Sequence, residues 1–152
     1  MTTKFIQHFN PIWKEKANFI IRTKVDDPNN VFSGEQLWAR KISEKRFEIF
    51  CIPFFAYDLS LGDEVETDEE FFVKKVTKPS GQFTFRIWLK DTPDGIRTLI
   101  IKHLMENDYL IEQHSESLLA INATDANHAQ LIADYLMELE KKNNLEYETG
   151  KS

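Results

Sequence analysis

With 152 residues the chain has the length of one domain able to bury a core, and twelve phenylalanines within a 41% hydrophobic content supply that core. The single cysteine, Cys51, excludes an internal disulfide, and a formal net charge of −6 disfavours a surface built for broad binding of phosphate backbones. No apolar stretch approaches the roughly 18 residues a bilayer span requires, and Met1 to His8 lacks the basic-then-apolar layout of a signal peptide, so the expectation is a cytoplasmic protein that binds neither membrane nor nucleic acid.

In chain order, the first predicted strand runs from Ala17 to Val25, where Ala17, Phe19, Ile21 and Val25 alternate with Asn18, Arg22 and Lys24. Asp26-Asp27-Pro28-Asn29-Asn30 breaks it as a loop. Gln36–Ile42 and Arg46–Ile52 form a hairpin about Ser43-Glu44-Lys45, with Phe47, Ile49 and Cys51 pointing inward together. Pro53 ends that strand, and Gly62 supplies a turn before Glu64-Val65-Glu66. A further strand follows at Phe71–Thr77. After the breaker Lys78-Pro79-Ser80-Gly81, Phe83, Phe85, Ile87 and Leu89 alternate with Gln82, Thr84, Arg86 and Trp88.

The character changes at Asp91. Thr92 and Pro93 read as N-cap and first residue of a helix to about Glu106, with Ile96, Leu99, Ile100, His103 and Leu104 on one stripe. Tyr109–His114 and Leu118–Asn122 form a hairpin about Ser115-Glu116-Ser117. A second helix starts near Thr124-Asp125 and buries Leu131, Ile132, Tyr135, Leu136 and Leu139. Residues 143–152 read as a polar, frayed tail, and no internal repeat is evident. The fold class expected is α+β in a single domain, 1–152. A strand-rich region (about 1–81) joins a ferredoxin-like βαββα region (about 82–142) that lacks its last strand and carries two helices on one face. The pattern leaves open whether the first region extends the sheet or curls into a half-barrel.

The most distinctive feature is an acidic run: Asp58, Asp63, Glu64, Glu66, Asp68, Glu69 and Glu70, with no Lys or Arg until Lys74. Like charges so close repel one another, so the run is either a solvated edge or a docking surface for a basic protein. Its spacing lacks the glycine and distal glutamate of an EF-hand loop. Asp58 and Asp63 flank the Gly62 turn, which leaves the other five to carry docking. Trp88 joins them as a candidate, since it shares the polar face of its strand with Arg86, an interface composition.

The four histidines form no metal-binding pair, and one cysteine builds no thiolate cage, so no metal or cofactor is expected. His103 reads as a partly buried core histidine. His114 beside Ser115 and Glu116 has the residue types of a triad without its geometry, and Cys51 reads as a small core hydrophobe. No catalytic set emerges.

Leu37-Trp38-Ala39, then Ile52-Pro53-Phe54-Phe55-Ala56, then Gly62-Asp63-Glu64-Val65 resemble the core pattern of an uncharacterised bacterial family over roughly residues 17 to 125. The resemblance implies a small, stand-alone cytosolic bacterial protein and carries over no site residues. Acidity, size and the acidic run together lead to the expectation of a non-enzymatic protein-binding module, concretely an immunity protein that covers a basic toxin such as a nuclease. The alternative is a cytosolic small-molecule-sensing domain.

Overall fold

The computed structural model describes residues 4–29, 31–89, 92–142 and 144–151. Asn30, Lys90, Asp91, Asn143 and Ser152, which fall within the loop, boundary and tail readings above, lie outside them, as do Met1–Thr3. The elements in chain order are β1 (Phe5–Ile6), β2 (Phe19–Thr23), β3 (Gly34–Ser43), β4 (Arg46–Ile49), β5 (Glu64–Thr67), β6 (Val73–Lys78), β7 (Phe83–Trp88), α1 (Asp94–Glu106), β8 (Leu110–Gln113), β9 (Leu118–Ala123), α2 (Ala126–Lys141) and β10 (Glu146–Thr149). The protein is α+β, with two sheets and two α-helices among the described residues.

The first sheet is built on β3, the longest strand. Antiparallel neighbours follow in the order β3-β4-β5-β6, β2 pairs with β3 from Phe19↔Ala39 to Thr23↔Glu35, and β1 lies parallel to the start of β3. The sheet curls until Arg22 of β2 meets Phe72, just before β6, through one parallel bridge. No barrel closes. Inside the curl, Ile21, Leu37, Ala39, Phe47, Ile49 and Val65 are buried, and the rings of Phe19, Phe47 and Phe71 meet at 4.9 to 6.2 Å. Burying a residue such as Phe47 completely contributes about 1.5–3 kcal/mol.

The end of β2 and the parallel β1 both crowd Gly34: a Cβ there would stand 2.4 Å from the Thr23 carbonyl oxygen and 3.1 Å from the Phe5 ring. Gly34→Ala is therefore expected to lower stability by about 1–3 kcal/mol in urea denaturation. Gly95→Ala, in an open stretch of α1, is expected to raise it by up to about 1 kcal/mol.

The second sheet has the order β10-β7-β9-β8, every neighbouring pair antiparallel. The tail is thus partly a strand. Leu145 is buried, and Glu146 to Thr149 pair with Trp88 to Phe85. The two glutamates hid this strand from composition, and Glu148 owes its place to an ion pair with Arg86. On one face of this sheet, Phe85, Ile87, Leu119 and Ile121 pack with Ile100 and Leu104 of α1 and Ile132 and Leu136 of α2. The opposite face meets the first sheet through Ile6, Ile52, Phe54 and Ala120.

Three local expectations are corrected. Thr92 does not cap α1: its hydroxyl donates to the Asn144 carbonyl and so ties the helix entrance to the chain before β10, while Pro93 is the N-cap. Leu99 and Leu131 are not buried but 64% and 66% exposed, because the helices turn Ile100, Leu104, Ile132 and Leu136 toward the sheet and leave these leucines on the outer flank. A short repeat does exist. Leu99-Ile100-Ile101-Lys102-His103-Leu104-Met105-Glu106 matches Leu131-Ile132-Ala133-Asp134-Tyr135-Leu136-Met137-Glu138 with identical leucine, isoleucine, leucine, methionine and glutamate at equivalent places. Its midpoints touch: the His103 and Tyr135 rings stack at 3.9 Å.

Candidate functional site

The loop Ile52-Pro53-Phe54-Phe55-Ala56 turns its backbone N–H groups onto two buried carboxylates. Glu35 Oε2 accepts from Phe54 N at 2.7 Å, and Glu35 Oε1 accepts from Phe55 N and Ala56 N at 2.9 Å each. Glu112 Oε2 accepts from Ile52 N at 2.5 Å and Ile12 N at 3.4 Å. Between them lies His8, with Nε2 2.6 Å from Glu35 Oε2 and Nδ1 2.8 Å from Glu112 Oε1, its ring stacked at 4.1 Å on Phe54. All three residues are at most 4% exposed.

Two carboxylates, each already accepting from backbone N–H groups, leave the ring to donate from both nitrogens, an arrangement that favours the imidazolium form of His8. Burial alone would lower its pKa, but the hydrogen bonds to Glu112 and Glu35 and their charges outweigh burial and raise it to about 9. Burial would raise the Glu35 pKa, but the bond and charge of His8 and the loop N–H groups hold it below the ordinary carboxylate range. Cys51, in the same interior, has its thiol pushed well above 9.0 by burial and then by Glu112 and Glu35, so it stays protonated and inert. Closed to water and fully bonded, this cluster fastens β1, β3 and β8 to the loop. It is a structural centre.

Sequence reasoning missed it because the partners stand 27 and 104 residues apart. One signal was present: Glu35 shares the inward phase of Leu37 and Ala39, where a charge demands a partner.

Accessible chemistry lies where the inner face of the second sheet reaches its margin. The row Glu112, Ala120, Arg86, Glu148 crosses the sheet, and the next row is His114, Leu118, Trp88, Glu146. The polar face of β7 is therefore not solvent-facing as the sequence suggested: Arg86 is 1% exposed and Trp88 is half-buried. Arg86 donates to the Ala56 carbonyl and, at 3.3 Å, to Glu148 Oε1, and its guanidinium lies 5.0 Å from the Tyr57 ring centroid. The Tyr57 hydroxyl donates to Glu148 Oε2 at 2.9 Å, and 44% of Tyr57 remains exposed. Tyr57, Trp88, Glu146 and Glu148 thus form an aromatic and acidic rim on a rigid base.

The acidic run divides. Asp63 is 6% exposed and accepts from Ser60 N and Ser80 N at 2.9 and 2.8 Å, and Asp68 accepts from Glu70 N and Phe72 N at 2.9 and 3.0 Å, so both hold turns. Glu64 lies between Glu48 and Lys78, and Glu66 between Arg46 and Lys75, with Lys74 Nζ 3.8 Å from its carboxylate. Glu69 and Glu70 are exposed, with Lys45 3.8 Å from Glu69. Asp58 adopts φ 63 and donates its N–H to the Gly150 carbonyl at 2.6 Å, which places it beside the end of β10. The fold therefore brings Asp58 and Trp88 to the β7–β10 side, and Asp68, Glu69 and Glu70 to a single turn between β5 and β6.

His114 is half-buried against Phe54 and Phe55, and burial lowers its pKa. His103 is half-buried as expected. Among the described residues no group of His, Cys, Asp and Glu forms a metal-binding arrangement, and no helix is long and apolar enough to cross a membrane.

A crystal structure of a hypothetical protein from Neisseria gonorrhoeae superposes with a TM-score of 0.73 at 24% identity, over 87% of this chain and 93% of that chain, which establishes a shared fold. No curated protein matches the chain. The family model described as a domain of unknown function, DUF4265, matches residues 35–147. That span runs from buried Glu35 through the carboxylate-binding loop to β10, and the chain belongs to the DUF4265 family.

Proposed function

We propose that this is a single-domain, non-enzymatic protein-binding module of the bacterial cytosol, most concretely an immunity protein that neutralises a basic toxin such as a nuclease. The observation that carries the reading is the rim at the β7–β10 margin: an exposed tyrosine and a half-buried tryptophan beside Glu146 and Glu148. Rigid aromatics supply contact area at low entropy cost, and acids around them steer a basic partner into place. Glu70 extends the negative field, whereas Asp63 and Asp68 serve turns, Glu66 and Glu69 each stand 3.8 Å from a lysine, and Glu64 lies beside Lys78 across the sheet.

The test partner is a basic, toxin-like protein encoded next to this chain, to be sought in the source genome. Trp88→Ala is expected to raise the Kd about 30-fold through faster dissociation. Glu146→Gln with Glu70→Gln is expected to slow association several-fold and flatten its salt dependence. Unchanged kinetics in both variants would remove the reading.

The order β10-β7-β9-β8, with both helices on one face, supports a ferredoxin-like arrangement of the second region, complete with its fourth strand. That architecture also motivates a sensing role, for which a ligand-dependent rise in melting temperature would be the sign.

A further inference from the structure

The outer surface of the helical layer has the composition of an interface. Because β7 and β9 are antiparallel, α1 and α2, which follow them onto the same face, are antiparallel too. The His103–Tyr135 stack marks the line where they meet, and both rings are half-buried. One turn toward each helix's N-terminus stand Leu99 and Leu131, 64% and 66% exposed. The four side chains make a ridge along the seam, apolar at both ends and aromatic at its centre.

Lys102 and Glu106 on α1, and Asp134 and Glu138 on α2, rim that ridge and are exposed. The internal repeat makes Lys102 and Asp134 equivalent positions of opposite charge. Their present partners are local and weak: Lys102 lies 3.9 Å from Glu106, Lys141 lies 3.7 Å from Glu138, and Asp134 accepts from Gln130. Such contacts give way readily to a better partner.

We infer that this face binds a second copy of the chain, with α1 of each copy on α2 of the other about a two-fold axis parallel to the helices. The charges select both occupant and orientation. In this arrangement each Lys102 lies over the partner's Asp134 and Glu138, so one contact is made twice, as an isologous interface requires. Setting α1 on α1 would instead oppose Lys102 to Lys102 and Asp134 to Asp134, a repulsion that argues against that register. The two leucines and the stacked rings fill the centre, while the rim just described on the other face of the sheet stays free for a different partner. The inference therefore stands apart from the proposed toxin contact.

Sedimentation equilibrium of the full chain tests it. A concentration-dependent dimer is expected, and a monomer persisting at millimolar concentration would overturn the inference. Leu99→Glu with Leu131→Glu is expected to raise the dimer Kd tenfold or more with an unchanged thermal melt at concentrations where the wild type is monomeric, since both sites are exposed. A dimer of undiminished strength would place the contact elsewhere. Lys102→Glu alone, and Asp134→Lys with Glu138→Lys alone, are each expected to weaken the dimer, and the three together to restore it. Failure of that rescue would overturn the α1-on-α2 pairing. Binding of a basic partner at the rim should be untouched by the leucine variants, which separates this result from the fate of the proposed function.

Discussion

Glu35→Ala is expected to lower the unfolding free energy by about 3–5 kcal/mol, the range found when one partner of a buried ion pair is removed. The loss has identifiable parts. The N–H groups of Phe54, Phe55 and Ala56 lose their acceptor, and the imidazolium of His8 loses the closer of its two carboxylates while remaining buried. Nothing local replaces them, because Glu35 is wholly inaccessible to water. Urea denaturation followed by tryptophan fluorescence is suited to the measurement, since the Trp38 indole donates to the His8 carbonyl at 3.0 Å and so reports on the cluster. Glu35→Gln, which keeps an acceptor oxygen but no charge, should lose less. A loss below about 1 kcal/mol for the alanine variant would mean that the cluster contributes little and that the loop is held by apolar contacts alone.

This centre also shows why some of the architecture was legible in the sequence and some was not. Strands with one apolar phase, such as Phe83 to Leu89, announced themselves, as did the helix that Asp125 caps through a bond from His128 N. The strand β7 was nevertheless read with a wet face, because Thr84, Arg86 and Trp88 look polar. Thr84 and Arg86 are covered by the segment after β4, where Leu59 and Ser60 meet Thr84 and Ala56 meets Arg86, so their burial depends on contacts far apart in the chain. Arg86 tolerates that burial through Ala56, Glu148 and Tyr57, which arrive from a loop and from the last strand. The acidic run illustrates the same limit in reverse. Its spacing suggested one surface, but Asp63 and Asp68 are taken by turns, Glu66 lies between Arg46 and Lys75, and Glu64 lies between Glu48 and Lys78, neighbours from elsewhere in the sequence. Phase errors of one helical step put Leu99 and Leu131 in the core stripe. The residues Ile100 and Ile132 beside them compete for the same face and win it.

Stability should be greatest near pH 6.5 and decline toward pH 9, and the sign follows from His8. Its pKa is about 9 in the fold against 6.5 for the free side chain, so the folded chain holds a proton that the unfolded chain releases between those values. The stabilisation is complete below 6.5 and is lost as pH rises through about 9. The difference corresponds to roughly 3 kcal/mol. Glu35 works from the other side: its depressed pKa makes its contribution complete above the ordinary 4.5 and lost as the medium becomes more acid. His114, whose pKa burial lowers, also weakens the fold as pH falls below 6.5. Cys51 adds an alkaline loss only above 9.0, where an unfolded thiol ionises and the buried one does not. Between 6.5 and 9 the slope therefore belongs chiefly to His8. In His8→Gln the decline over that interval should vanish, although the variant is less stable throughout because both carboxylates, Glu35 and Glu112, lose their cationic partner. Urea midpoints measured at half-unit pH steps would show this, and a wild-type profile flat from 6.5 to 9 would mean that the buried imidazole is not held as a cation.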